Sequence, residues 1–124
     1  MHQRAEETIR RTFSPSFLKS VYRASSKNGL RPDVAIYSLY AIQEESEDFY
    51  STLKTADIYF TLHEDPPLVN SGFNGERPVH ARGEALRGIG IDVTDDDIMD
   101  ADTFMKLGRA IEEHYKSGAL KATA

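Results

Sequence analysis

The sequence predicts an all-α fold, a compact bundle of five to seven short helices with one long irregular loop at about 65–79. Apolar residues recur at helical spacing in several segments, and proline and glycine stand where those helices would begin and end. A content of 40% hydrophobic and 28% charged residues is typical of a folded chain. At 124 residues, we expect a single domain over 1–124 with one core.

Two short helices are predicted at the start of the chain. Apolar residues recur every four positions from Ala5 to Phe13, which indicates a helix over 3–12. Ser14 followed by Pro15 is typical of a helix N-cap and first turn, and an Asn-Gly dipeptide closes this second helix. The residues predicted to share one face of it are Phe17, Leu18, Val21, Tyr22 and Ser25.

The middle of the chain predicts two further helices. Positions 34–42 are apolar nearly all round and follow a proline, so we expect a central buried helix, although periodicity alone also permits a buried strand. Apolar residues from Phe49 to Phe60 have helical spacing and predict the next helix. Within it, 56–63 alternates well enough to be a strand instead.

The C-terminal half is predicted from its turn residues. Three prolines and two glycines interrupt regular structure between 65 and 79, and so long a connection is uncommon unless it is functional or mobile. We expect a helix after it that stops at Gly90, followed by a short acidic turn capped by Thr94. Apolar spacing from Phe104 onward predicts a final helix.

The composition indicates a cytoplasmic protein. Cysteine is absent, which excludes disulfides and thiolate metal sites and gives an oxidising compartment no support. The N-terminus is charged from the start, without the apolar run of a signal peptide. No stretch approaches the roughly 18 apolar residues of a membrane span, so no membrane contact is expected. Glycine-rich phosphate-binding motifs do not occur, and we expect no cofactor.

The charge is unevenly distributed along the chain. The net charge is −5, but residues 1–31 hold seven Lys/Arg against two Glu, whereas residues 32–124 hold eight Lys/Arg against eighteen acids. The first segment therefore carries +5 and the second −10. This pattern is compatible with charges matched inside the fold, with a self-association surface, or with a basic patch directed at phosphate.

The function that we expect is that of a small non-catalytic adaptor or regulatory protein, which binds a protein partner and forms a homo-oligomer. Several tyrosines fall on apolar stripes, and tyrosine is enriched where a side chain is packed at one end and meets a partner at the other. The loop and the acidic segment 92–102 are the expected contact surfaces. The predicted partner-binding residues are Asn70, Phe73, Asn74, Arg77, Asp95, Asp96 and Asp97.

A nucleic-acid-associated regulator is the first alternative. Lys19, Arg23 and Lys27 are spaced by four on the second predicted helix and would form one basic stripe, which Arg10 and Arg11 could widen. Such a patch could neutralise several phosphates. A sequence pI near 5.3 favours an ordinary solvated helix face instead.

A metal-assisted hydrolase is the second alternative. His80 and Glu84 are four apart on a predicted helix, so both can face the same way, and the long loop could fold His63 back onto them. Imidazole and carboxylate groups together could hold a metal ion or act as general base and orienting acid. The competing interpretation is a set of solvated loop and helix-end residues, because no HExxH motif is present.

Overall fold

The computed structural model describes residues 2–46, 50–51 and 76–116. Within these ranges the chain forms six helices, which we number in chain order. They are α1 (His2–Thr12), α2 (Pro15–Lys27), α3 (Pro32–Glu45), α4 (Glu76–Gly88), α5 (Asp95–Ile98) and α6 (Phe104–Lys116). The predicted all-α class is confirmed.

Helix α2 begins and ends where the sequence predicts. The Ser14 hydroxyl accepts a hydrogen bond from the Phe17 backbone N–H at 3.2 Å, which satisfies one of the unpaired donors of the first turn. At the other end, Gly29 has a φ of +73°, a conformation that glycine adopts without a Cβ clash. This turn directs the Leu30 N–H back onto the Ser25 carbonyl at 3.1 Å.

Helix α4 ends with the same kind of turn at Gly90, as predicted. Gly90 has a φ of +95°, and its N–H donates to the Arg87 carbonyl at 3.0 Å. The Ile91 N–H donates to the Leu86 carbonyl, also at 3.0 Å, so the turn has both bonds of a Schellman motif. Ile91 is fully buried, and the motif therefore brings the chain back into the core after the helix.

Helix α3 is the central helix of the described fold. It is buried along nearly its whole length and packs against α1, α2, α4 and α6. Because its apolar residues surround the axis, they can contact helices on several sides at once. The prediction of a buried helix over 34–42 is confirmed, and the strand alternative is wrong for this segment.

The buried apolar residues form one cluster to which all six described helices contribute. Its largest fully buried side chains are Phe104, Leu39, Ile42, Leu86, Ile91, Ile98, Leu107 and Ile111. One charged pair lies within this packing: Arg82 of α4 donates through Nε and Nη2 to Oε1 of Glu45 at 3.1 and 2.9 Å. The Arg82 and Glu45 side chains are only 3% and 8% exposed.

Helix α4 starts earlier than the sequence predicts. Residues 76–79 belong to it, although the predicted loop extends to 79. Pro78 suggested a break, but it lies in the first turn, where a backbone N–H has no helical acceptor and proline is tolerated. Predicted loop residues before Glu76, and the predicted helix or strand after Ser51, lie outside the described residues.

None of the helices in the described part of the chain is long and apolar enough to cross a membrane.

Candidate functional site

A groove opens where α1, α2 and α3 meet. Its volume is about 340 Å³, and most of its lining is apolar. The apolar side chains that line it are Ile9, Phe13, Leu18, Tyr22, Ile36 and Tyr37. Helical spacing explains the arrangement, because Phe13, directly after α1, is four positions from Ile9, and Leu18 and Tyr22 are four apart on α2. Each helix therefore contributes one apolar row to the groove.

Tyr22 lies at the open side of this groove. The sequence predicted that Tyr22 shares one face of α2 with Val21, and the structure leaves Tyr22 38% exposed at the edge of that face. The reason is geometric: successive helical residues point about 100° apart, and Val21 takes the position that faces the core. An exposed tyrosine beside half-buried Leu18 gives the groove an accessible apolar wall.

Phe13, which lines the groove, packs against two further aromatic side chains. The Phe13 ring centroid lies 5.2 Å from that of Phe17 and 6.0 Å from that of Tyr50. Both ring pairs are tilted, as is common for packed aromatic side chains. Burial raises the pKa of Tyr50 to about 12, because the phenolate would lose its hydration. The Phe13 side of the groove is thus tightly packed, whereas the Tyr22 side is exposed.

The charged groups at the groove differ in whether they already form an ion pair. Arg10 donates to Glu6 at 2.6 Å, and buried Asp33 lies 3.7 Å from Arg31. Lys19 also lines the groove and is exposed, and within the described residues it forms no ion pair. Lys19 therefore gives the α2 side of the groove an unneutralised positive charge.

The five residues of the predicted nucleic-acid patch do not share one surface. Lys19, Arg23 and Lys27 are exposed along α2, as the spacing predicted. Arg10 is bound to Glu6. Arg11 lines a separate cleft between α1, α3 and α4. That cleft also contains Glu7, Glu44 and Glu84, so the charge of Arg11 lies among acids rather than beside the α2 stripe.

The predicted acidic contact residues occupy the first turn of α5 and have different environments. Asp97 forms a capping box with Thr94: its carboxylate accepts the Thr94 N–H at 2.8 Å, and its own N–H donates to the Thr94 hydroxyl at 3.2 Å. Asp95 is held by α4, whereas Asp96 is exposed. Just after the helix, Met99 is 42% exposed.

His80 of α4 contacts two carboxylates, and that of Asp95 links it to α5. Its Nδ1 lies 2.7 Å from Oδ2 of Asp95, and its Nε2 lies 2.5 Å from Oε1 of Glu84. Arg87 donates to Oδ1 of Asp95 and to the Val93 carbonyl, each at 3.0 Å.

The charges of this cluster change the pKa of two of its members. The hydrogen bond to Asp95, the charge of Asp95 and then that of Glu84 raise the pKa of His80. Hydrogen bonds from His80 and Arg87 lower the pKa of Asp95. A protonated imidazole has an N–H for each carboxylate, whereas a neutral one has a single N–H. The cluster therefore stabilises the imidazolium form.

The residues of the metal hypothesis are only partly brought together. His80 and Glu84 do lie side by side, but both imidazole nitrogens face carboxylates. Within the described residues, no group of three or more His, Asp or Glu side chains is arranged to hold a metal ion. His63 lies outside the described residues, as do Asn70, Phe73 and Asn74 of the predicted partner surface, and Arg77 belongs to the first turn of α4.

Three features of the described surface and core were not found from the sequence. They are the exposed position of Tyr22, the buried Arg82–Glu45 pair and the Arg87–Asp95 contact. The last two join residues 37 and 8 positions apart, and no local spacing rule connects them.

Comparison with protein-family models, curated proteins and solved structures found no match for the chain.

Proposed function

We propose that this chain is a small adaptor or regulatory protein that binds a protein segment in the groove between α1, α2 and α3. The observation that supports the proposal is an apolar groove of about 340 Å³ with the accessible Tyr22 at one wall. Grooves between helices accept the apolar face of an amphipathic helix, with anchors spaced by three or four residues. The proposed location is the cytoplasm, because a protein without cysteine needs no oxidising compartment.

The charge around the groove favours an acidic partner segment. Lys19 lines the groove, and Arg23 extends the positive charge along the exposed side of α2. Complementary charge increases the rate of association and excludes wrong partners, while the apolar anchors supply most of the affinity. A helix with an apolar row and flanking Asp or Glu residues is therefore the best match.

The nucleic-acid alternative has weaker support. Its residues Arg10 and Arg11 lie close to glutamates, so among the described residues of the patch Lys19 and Arg23 are the cations without an ion pair. An apolar groove also contributes nothing to phosphate binding, which depends on Lys and Arg. The metal-assisted hydrolase alternative involves His63, His80 and Glu84 and is independent of the groove.

A displayed library of helical peptides, each two or three turns long, tests the proposal. Peptides are selected on the wild-type chain and counter-selected on Tyr22→Asp, which places a charge in the apolar wall. We expect peptides with an apolar row and acidic flanks, and at least about tenfold weaker binding to Tyr22→Asp. Ser20→Asp is the matched control, because Ser20 is exposed on the same helix and does not line the groove.

Peptides should bind the Ser20→Asp control as tightly as the wild-type chain. If repeated selections give no peptide that distinguishes the wild-type chain from Tyr22→Asp, the groove is not a peptide-binding site and the proposal fails.

A further inference from the structure

We infer that the groove binds a second copy of this chain, through an acidic surface formed by α5 and the residues directly after it. We call this the Met99 surface, and it consists of Asp96, Met99 and Asp100. The inference rests on the proposed function, because it uses the same groove and names its occupant. Docking the Met99 surface of one copy into the groove of the next gives a head-to-tail contact.

The two surfaces have matching patterns with opposite charge. Tyr22 and Met99 are the exposed large hydrophobic side chains of the described residues. Each has one charged residue three positions before it and another directly after it. Around Tyr22 these are the cations Lys19 and Arg23. Around Met99 these are the anions Asp96 and Asp100.

The charges of both surfaces are available for a partner. Within the described residues, none of the side chains of Lys19, Arg23, Asp96 and Asp100 forms an ion pair or a side-chain hydrogen bond.

The other acids near Met99 are already engaged in the same copy. Asp95 is bound by Arg87, Asp97 by the Thr94 N–H, and Asp102 by Lys106 at 3.0 Å. The acidic segment therefore offers a second copy the two carboxylates that flank Met99.

The two surfaces lie on different parts of the fold, so one copy can use both. The groove is formed by α1, α2 and α3, whereas α5 packs against α4 and α6. A contact between two different surfaces is heterologous, and repeating it produces either a closed ring or an open chain of copies. Because apolar anchors and complementary charges contribute together, we expect the association to weaken at high salt.

Sedimentation velocity of the purified full chain tests this inference with two loss-of-anchor variants. Tyr22→Ser removes the groove anchor and Met99→Ser removes the anchor of the opposite surface. Each variant alone should associate at least about tenfold more weakly than the wild-type chain. An equal mixture retains one intact pair of surfaces, so it should form a dimer of twice the 13.9 kDa chain mass and nothing larger.

Charge reversal provides a second set of variants that leaves the apolar anchors intact. The double variant Lys19→Glu/Arg23→Glu and the double variant Asp96→Lys/Asp100→Lys should each lose association alone. Mixed in equal amounts, they should regain it, because each then meets the opposite charge on the other. Ser20→Glu adds a negative charge to α2 outside the groove and should associate like the wild-type chain. Circular dichroism confirms that every variant keeps its helix content.

Several outcomes would overturn the inference. They are a wild-type chain that stays monomeric at about 100 μM, association unaffected by the anchor variants, and mixtures that do not recover association. Binding of an RNA oligonucleotide that replaces self-association and is lost in Lys19→Glu/Arg23→Glu would also overturn it. A monomeric wild-type chain that still binds peptides through Tyr22 refutes the second copy as occupant but leaves the proposed function intact.

Discussion

The buried pair formed by Arg82 and Glu45 shows what a single residue contributes to this fold. Both Arg82 contacts end on the same Glu45 oxygen, and both side chains are almost fully excluded from water. A charge in such a place is tolerated because its partner is fixed beside it. The pair also connects α4 to the central helix α3 with a directional contact, which apolar packing alone does not provide.

Replacing Arg82 by alanine should be strongly destabilising. The change leaves the Glu45 carboxylate buried without its partner, and breaking a buried pair in this way costs about 3–5 kcal/mol. Urea unfolding followed by circular dichroism measures the loss. Arg10→Ala is the matched control, because the Arg10 and Glu6 side chains are 71% and 39% exposed and such a pair contributes less than about 1 kcal/mol.

The double variant Arg82→Met/Glu45→Leu separates the loss of a partner from the loss of packing. With both charges removed, most of the stability should return, because no unpaired charge remains in the core. Equal losses for Arg82→Ala and Arg10→Ala would show that Arg82 is not enclosed as the structure describes.

The roles of single residues were predicted correctly where they depend on neighbours close in the sequence. The sequence correctly predicted Ser14 and Thr94 as helix N-caps and Gly90 as the end of α4. Each of these residues acts on backbone groups only a few positions away. The exposure of Tyr22 was not predicted, because helical spacing defines a broad apolar stripe but not which edge of it other helices cover.

Among the elements, α2 and α3 were predicted almost to the residue. A proline in the first turn and a marked change of composition at the end define both helices in the sequence. The start of α4 was misplaced because proline both breaks helices and begins them, and composition alone does not distinguish the two. The proximity of α4 and α5 was not predicted, because it depends on the turn at Gly90.

The contact between α4 and α5 should depend on pH through His80. Its neighbouring carboxylates raise its pKa above the ordinary 6.5, so the stabilisation is fully present below pH 6.5 and is lost as pH rises through the raised value. Asp95 has a pKa below the ordinary 3.8, so its contribution is present above that pH and is lost on further acidification. We therefore expect the contact to be strongest between about pH 4 and 6.5.

An NMR titration of the imidazole signals measures this effect directly. In the wild-type chain the pKa of His80 should exceed 6.5, and Asp95→Asn should lower it towards that value, because Asp95 is the main cause of the shift. Asp96→Asn is the matched control, since Asp96 is one position further on and does not contact His80 in the described structure. An unchanged His80 pKa in Asp95→Asn would show that the two side chains are not in contact in solution.

For the molecule as a whole, the uneven charge of the sequence persists in the fold. The ion pairs identified among the described residues lie within α1, at the start of α3, between α3 and α4, within α4, between α4 and α5, and at the start of α6. None of these pairs joins α1 or α2 to α5. Lys19 and Arg23 of α2 and Asp96 and Asp100 of the Met99 surface take part in none of them, so these four charges remain for a second copy.

The prediction of a single domain can be tested through the central helix. Leu39 is fully buried in α3, which packs against both α2 and α6. Leu39→Ala should lower the free energy of unfolding by about 2–5 kcal/mol, because apolar burial is lost and a cavity is left behind. In a single cooperative unit, hydrogen exchange of the amides in α2 and in α6 should accelerate by the same factor. Lys19→Ala is the control, because Lys19 is exposed and its replacement should change the free energy of unfolding by less than about 0.5 kcal/mol. Faster exchange in α2 with unchanged exchange in α6 would instead divide the chain into two units, with α3 belonging to the first.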